Sequence, residues 1–98
     1  MACKVIWSPA ARDDLRDIVR FIARDNPRRA ESFGYELMTR TDILHEHPEA
    51  GRIVPEYRNP RIREIIYRPY RIVYRLDIER QLVEIARMWH GARGTPLI

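Results

Sequence analysis

The sequence is poor in the residues that build covalent staples and metal centres. Cys3 is its one cysteine in 98 residues. No intrachain disulfide can form, and no cysteine cluster can hold a metal. Histidine is sparse too, present only as His45, His47 and His90. His45 and His47 are two apart, which places them on different sides of a helix, so no metal site is expected. There is no long apolar run and no charged-then-apolar leader. Neither a membrane span nor a signal peptide is expected, and the cytoplasm is the expected location. Low-complexity and repeated segments are missing as well. Order is expected nearly throughout, with Gly94-Thr95-Pro96-Leu97-Ile98 the stretch expected to fray. No cofactor is implied.

Lysine is almost absent. Of 18 basic residues 17 are arginine, Lys4 being the exception, and the formal net charge is +4. Residues 1–47 hold eight basic and eight acidic side chains, and residues 48–98 hold ten and six, so the whole excess lies in the second half. Arginine presents a planar fork of donors that matches carboxylates and phosphates, and its flat face stacks on rings. A solvated surface would account for the composition. The clustering argues for a partner.

A chain of this length buries one modest core, hence one domain over 1–98. Cys3 to Trp7 reads as a first strand. Ser8-Pro9 then starts a helix, with Ser8 as N-cap and Pro9 in the first turn, where no amide is needed. Leu15, Ile18, Val19 and Ile22 recur at the spacing of one buried stripe. Asn26-Pro27 repeats the start signal after a very short link, so the two helices form an antiparallel hairpin. Ala30, Phe33, Leu37, Met38, Thr41 and Leu44 are the expected inner stripe of the second helix, and Gly34 beside it permits close approach to the first. Pro48 ends the helix, and residues 51–60, with Pro55 and Pro60, read as a loop.

Three strand-like runs follow, Arg61 to Arg68, Tyr70 to Asp77 and Gln81 to His90, with links short enough for an antiparallel meander. The fold expected is α+β: an N-terminal strand, a helical hairpin, then a three-stranded antiparallel meander forming one sheet. Alternation in the middle strand sends Tyr70, Ile72, Tyr74 and Leu76 toward the helices and Arg71, Val73, Arg75 and Asp77 away. In the last strand Val83 and Ile85 point inward, which sends Glu84, Ala86, Met88 and His90 outward. A β-bulge near Arg87 would shift the end of that assignment by one residue. Arg71 and Arg75, with Arg63 nearby and His90 at the strand end, are then expected on the face the helices leave uncovered.

Several words along this order carry a resemblance. They are Trp7-Ser8-Pro9-Ala10-Ala11 with Asp14-Leu15 and Ile18; Asn26-Pro27 with Ala30; His47-Pro48 and Gly51-Arg52; Arg63-Glu64; Tyr70-Arg71-Ile72-Val73-Tyr74; and Met88-Trp89-His90-Gly91-Ala92-Arg93. Their order and spacing resemble the RelE/ParE superfamily of type II toxins over nearly the whole chain. The resemblance implies a toxin neutralised by a cognate antitoxin, whose C-terminal segment wraps around it in a hetero-oligomer. It also implies one of two targets. RelE-like and YoeB-like members cut mRNA at the ribosome without a metal, and ParE-like members inhibit DNA gyrase.

Metal-free RNA cleavage needs a base for the 2′-hydroxyl, an acid for the leaving oxygen and a cation for the phosphorane. The YoeB-like pattern maps these roles onto Glu56 as base, His90 as acid and Arg71 as phosphate stabiliser. The sequence departs from that pattern. Gly91 stands where an aromatic should follow His90, Arg87 is one residue too far from His90, and the lysine cluster of RelE-like enzymes is missing. The ending Trp89-His90-Gly91-Ala92-Arg93 resembles ParE-like toxins. The expected reading is therefore a ParE-like gyrase inhibitor, with Arg63, Arg71, Arg75, Arg87 and Arg93 binding antitoxin or target. A ribosome-dependent endonuclease is the alternative, and a basic nucleic-acid-binding module ranks third. Each residue also has a structural reading. Arg71 can pair with Glu64 or Glu84 across the sheet, His90 can end a strand, and Glu56 can be a solvated loop charge. Tyr70, Tyr74, Trp7 and Trp89 can be packing residues.

Overall fold

Ser8 begins the first helix as its sequence predicts. Its hydroxyl oxygen accepts the Ala11 amide at 3.0 Å, and Pro9 occupies the first turn of α1 (Pro9–Ala23). Asn26 does the same for α2 (Pro27–Arg40), accepting the Arg29 amide at 3.0 Å. The computed structural model describes residues 2–98. Gly34 lies where the two helices touch: a Cβ there would sit 2.8 Å from Cγ2 of Val19. Ala11, Ile18, Ala30, Phe33 and Leu37 are buried along the inner stripes. Met38 is not, being 48% exposed, because the stripe leaves α2 at Leu37 and continues through Leu44 in the short 3-10 turn Asp42–His45.

The sheet has five strands rather than four. They are β1 (Lys4–Trp7), β2 (Arg52–Ile53), β3 (Ile62–Tyr67), β4 (Tyr70–Asp77) and β5 (Leu82–His90), in the order β1-β5-β4-β3-β2. The meander β3-β4-β5 is antiparallel as expected. β1 runs parallel to β5, with Trp7 opposite Ile85 as the last pair. The additional strand, β2, is a two-residue pairing of Arg52 with Glu64 and Ile53 with Arg63, inside the region read as a loop.

The alternation read for the middle strand holds. Ile72, Tyr74 and Leu76 are buried in the main core with Val83, Ile85, Met88, Phe33, Leu37 and Leu44. Each fully buried aliphatic there stabilises the fold by about 1.5–3 kcal/mol. Tyr74 needs partners for its hydroxyl in that core. It donates to the Pro48 carbonyl at 2.8 Å and accepts the Gly51 amide at 3.0 Å, which ties the segment after the helices to the sheet.

The end of β5 differs from the simple alternation. Val73 pairs with Arg87 while Tyr74 pairs with Ile85, so Ala86 is the extra residue of a β-bulge. Beyond it Met88 lies opposite Ile72 and His90 opposite Tyr70, both turned toward the helices, and Trp89 lies opposite Arg71 on the other side. Met88 and His90 are thus inward, not outward. The bulge falls where β1 stops and α1 takes over the edge of β5. There Ser8 donates its hydroxyl to the Ala86 carbonyl at 2.8 Å, and Asp14 accepts the Met88 amide at 3.0 Å.

Candidate functional site: an arginine and carboxylate face under a C-terminal strap

The side of the sheet away from the helices has its own small apolar floor. Val54, Val73 and Trp89 are buried there, with Ile62 and Ile98 packed against them. Around this floor stands a chain of ion pairs. The Glu64 side chain is 0% exposed. It accepts from Arg71 Nε at 2.6 Å and from Arg52 Nε at 2.7 Å. The other edge of the Arg71 guanidinium grips Glu56 through two bonds, of 2.7 and 2.8 Å. A buried carboxylate without such partners would be too costly to keep ionised.

The network sets the protonation of its members. Hydrogen bonds from Arg71 push the Glu56 carboxyl down to about 2, against the opposing effect of burial. The hydrogen bonds that Arg71 donates to Glu56 and Glu64 in turn hold it still more firmly protonated. Arg75, also on this face, pairs with Glu84 at 2.8 Å in solvent. The sheet-face arginines are therefore neutralised from within, and their excess in the sequence does not become a field of unpaired cations.

Arg87 reaches round the open edge of β5. It makes two bonds to Asp14, of 2.7 and 3.0 Å, and a third to the Leu97 carbonyl at 3.0 Å. Asp14 raises its affinity for the proton. Arg87 and Arg93 both lie over the Trp89 ring, with guanidinium carbons 4.9 and 3.9 Å from its centroid. Cation–π contacts of this kind add about 0.5–2 kcal/mol each.

The last residues lie against the sheet. After a 3-10 turn, Gly91–Arg93, the chain reverses at Gly94, whose φ of +80° suits glycine. It then lies across the face as a strap. Trp89 Nε1 donates to the Gly94 carbonyl at 3.1 Å, and the Tyr57 hydroxyl donates to the Pro96 carbonyl at 2.5 Å. Pro96 is buried, and Ile98 joins the apolar floor. Composition and position suggested a loose terminus; the apolar floor and three donors hold it down.

The predicted site residues are only partly brought together. Glu56 and Arg71 meet, so Glu56 is an ion-paired carboxylate on an exposed loop and not a lone loop charge. His90 faces the helix side, edge-on to Tyr70 with ring centroids 5.3 Å apart. Its Nδ1 accepts the Ala92 amide at 3.0 Å, so the neutral ring carries its proton on Nε2. Arg71 and His90 share only the wall of an open groove of about 470 Å³ at the β3–β4 turn, lined also by Arg52 and Arg68; Glu56 is not among its lining residues. Arg63 is not beside Arg71 and Arg75. It lies opposite Tyr74 on the helix side, because Ile62 and Glu64 take the uncovered face on either side of it. There it donates to the Gly51 and Pro60 carbonyls at 3.1 and 2.9 Å.

Two features went beyond the sequence reading. The first is the complete burial of Glu64 and its second partner Arg52, where that reading had only a possible pairing with Arg71; the signal was an acid in β3 opposite Val73, which points to the uncovered face. The second is an apolar groove of about 530 Å³ on the outer side of the hairpin, lined by Leu15, Val19, Gly34, Tyr35 and Met38 among others. Tyr35 is 69% exposed. Large apolar residues off the buried stripe of α2 were the signal for it. Among the described residues no group of three metal-ligating side chains occurs, and no helix is long and apolar enough to cross a membrane.

Comparison with known proteins gives a consistent result. The family model for the ParE toxin of the type II toxin–antitoxin system parDE matches residues 5–94. Toxin RelE2 of Caulobacter vibrioides is 32% identical over 90 residues, covering 92% of this chain and 97% of that protein. Among solved structures, a chain of the chromosomal ParDE system from P. aeruginosa superposes with a TM-score of 0.76 at 18% identity, covering 91% of this chain and 96% of its own. A chain of the RelBE2 toxin–antitoxin complex from Mycobacterium tuberculosis gives 0.61 at 22% identity, covering 92% and 99%. The family match along nearly the whole chain, on the two-helix and five-strand fold described above, shows that this protein belongs to the RelE/ParE family of type II toxin–antitoxin toxins.

Proposed function

We propose that this toxin acts by binding and inhibiting DNA gyrase and not by cutting RNA. The observation that carries this reading is the state of the three residues a ribonuclease would use. Glu56 is locked onto Arg71, and a carboxylate with a pKa near 2 is a weak base for a 2′-hydroxyl. His90 lies across the sheet from Glu56, and Gly91 follows it in place of an aromatic. The first event after induction tests the reading. Broken DNA and a supercoiling defect, with mRNA intact, are expected. Cleavage of mRNA at translating ribosomes with DNA intact would reverse the assignment.

Ribosome-dependent cleavage is the second reading, favoured by one observation: Arg71 and His90 line the same groove with two further arginines. His90→Ala separates the two. Growth arrest that survives this change fits gyrase, and loss of toxicity in a folded protein fits the nuclease.

The partner in either case is a cognate antitoxin, as the toxin–antitoxin systems among the similar structures suggest. The apolar groove on the hairpin fits an amphipathic helix from it, because Tyr35 and Met38 offer anchors at helical spacing and Arg28 and Glu31 form a polar rim. Met38→Asp is expected to weaken the complex at least tenfold by calorimetry.

A further inference from the structure

The outer stripe of α2 has the spacing of a helix-pairing seam. Arg28, Glu31, Tyr35, Met38 and Asp42 recur at alternating steps of three and four, and all are exposed. Tyr35 and Met38 form its ridge, 69% and 48% exposed. A groove runs along each side of that ridge. One is the groove floored by Leu15, Val19 and Gly34. The other, of about 250 Å³, lies against Val5 and Trp7 of β1. Tyr35 and Met38 line both. A ridge between two grooves is a shape that packs on a copy of itself. The charges at its ends have the same symmetry. Arg28 lies seven residues before Tyr35, and Asp42 seven after it. Neither is paired with an opposite charge among the described residues.

We propose that two copies of the free toxin associate through this stripe, their α2 helices antiparallel about a twofold axis at Tyr35. The two Tyr35 rings then meet at the centre. Met38, three residues after Tyr35, falls opposite the partner's Ser32, three before it. Ser32 and Gly34 line the groove there, and their small side chains leave room for the Met38 knob. Arg28 meets the partner's Asp42 at one end, and Asp42 meets the partner's Arg28 at the other, each about 10 Å from the axis. A parallel pair would set Arg28 against Arg28 and Asp42 against Asp42, so charge selects the antiparallel one. A partner of one charge sign, nucleic acid included, would leave either Arg28 or Asp42 facing its own sign. The groove beside α1 is also the one proposed for the antitoxin helix, so the second copy and that helix would exclude each other. The inference concerns the chain alone. It holds whichever target the toxin has and wherever the antitoxin binds.

Sedimentation equilibrium of the full chain without antitoxin, at moderate salt, tests this. A monomer–dimer equilibrium in the micromolar range is expected, as for a small interface. Tyr35→Ala removes the central anchor and is expected to weaken the dimer at least tenfold. Tyr35 is exposed in the single chain, so this change leaves the fold intact. Arg28→Asp and Asp42→Arg each turn two attractions into two repulsions, and each is expected to weaken the dimer about tenfold. The chain carrying both changes regains the pairs with their signs exchanged and is expected to return to within about threefold of wild type. If Arg28→Asp alone folds poorly, Asp42→Arg and the double change carry the comparison. A chain that stays monomeric up to millimolar concentration overturns the proposal, and so does a dimer that Tyr35→Ala leaves unchanged. A double change that associates more weakly than either single one overturns the antiparallel pairing. The effect of Met38→Asp on the antitoxin complex is read separately, so failure of one reading leaves the other standing.

Discussion

Glu56 and Arg71 meet through two hydrogen bonds, of 2.7 and 2.8 Å, on the side of the sheet that the helices leave uncovered. The same guanidinium grips the buried Glu64 with its other edge. One arginine therefore holds an irregular loop and a strand together, and its charge is neutralised within the protein. A docking surface of unpaired cations is replaced by a closed network whose members differ sharply in burial. That difference makes the following outcomes distinguishable.

Glu64→Ala is expected to destabilise the fold by about 3–5 kcal/mol, the cost of stranding buried charge when one partner is removed. Arg71 and Arg52 both lose their common acceptor, and β2 loses its pairing anchor. Urea unfolding measures this. A loss below about 1 kcal/mol would mean that the network contributes nothing to stability.

Arg87→Ala and Arg75→Ala should separate clearly. Arg87 makes a two-bond pair with Asp14 in which both side chains are largely buried, and it also holds the strap. Its loss is expected to cost about 3 kcal/mol. Arg75 pairs with Glu84 in solvent, and its loss is expected to cost under about 1 kcal/mol. Equal shifts in thermal midpoint would contradict this ordering.

Stability should fall with acid in a defined window. The Glu56 carboxyl is depressed from an ordinary 4.5 to about 2 in the folded chain. Its contribution is fully present above the unfolded value and is lost as pH falls from about 4.5 through about 2. Denaturant midpoints measured from pH 6 to 2 should drop in that range, and Glu56→Gln should remove part of the drop. An unchanged acid limb in this variant counts against the assignment.

Gly51→Ala tests the seam between the segment after the helices and the sheet. An added Cβ would lie 2.6 Å from the Glu64 carbonyl oxygen and 2.7 Å from the Tyr74 hydroxyl. The first is backbone and the second is fully buried, so neither yields easily. The expected loss is about 1–3 kcal/mol or more from overpacking. A wild-type melting curve would show that the loop relaxes freely.

His90→Ala should cost about 1 kcal/mol, from the edge-on contact with Tyr70 and the bond from the Ala92 amide. Growth arrest is expected to persist. The readout is colony formation without antitoxin, checked against the circular dichroism of the purified variant.

The helices were the most legible part of the chain. Ser8-Pro9 and Asn26-Pro27 place both starts, because caps and first-turn prolines act on the residues beside them. The alternation of Tyr70 to Asp77 was equally plain, since a half-buried strand has period two. The site was less so. Arg71 and Glu64 were named as possible partners, but the bond to Glu56 joins residues fifteen apart across an irregular loop, and no periodicity governs it.

What the sequence determined alone was local: where helices begin, which way strand residues point, and which family the ordered words resemble. What tertiary structure decided was everything that depends on edges and ends. The bulge at Ala86 arises where β1 stops pairing with β5, and it turns His90 and Met88 to the helix side. The strap stays down because Val54, Val73 and Trp89, drawn from three separate segments, form a floor only once the sheet exists. Backbone preferences act within a few residues, whereas burial and charge pairing are settled by whichever distant groups the fold sets side by side.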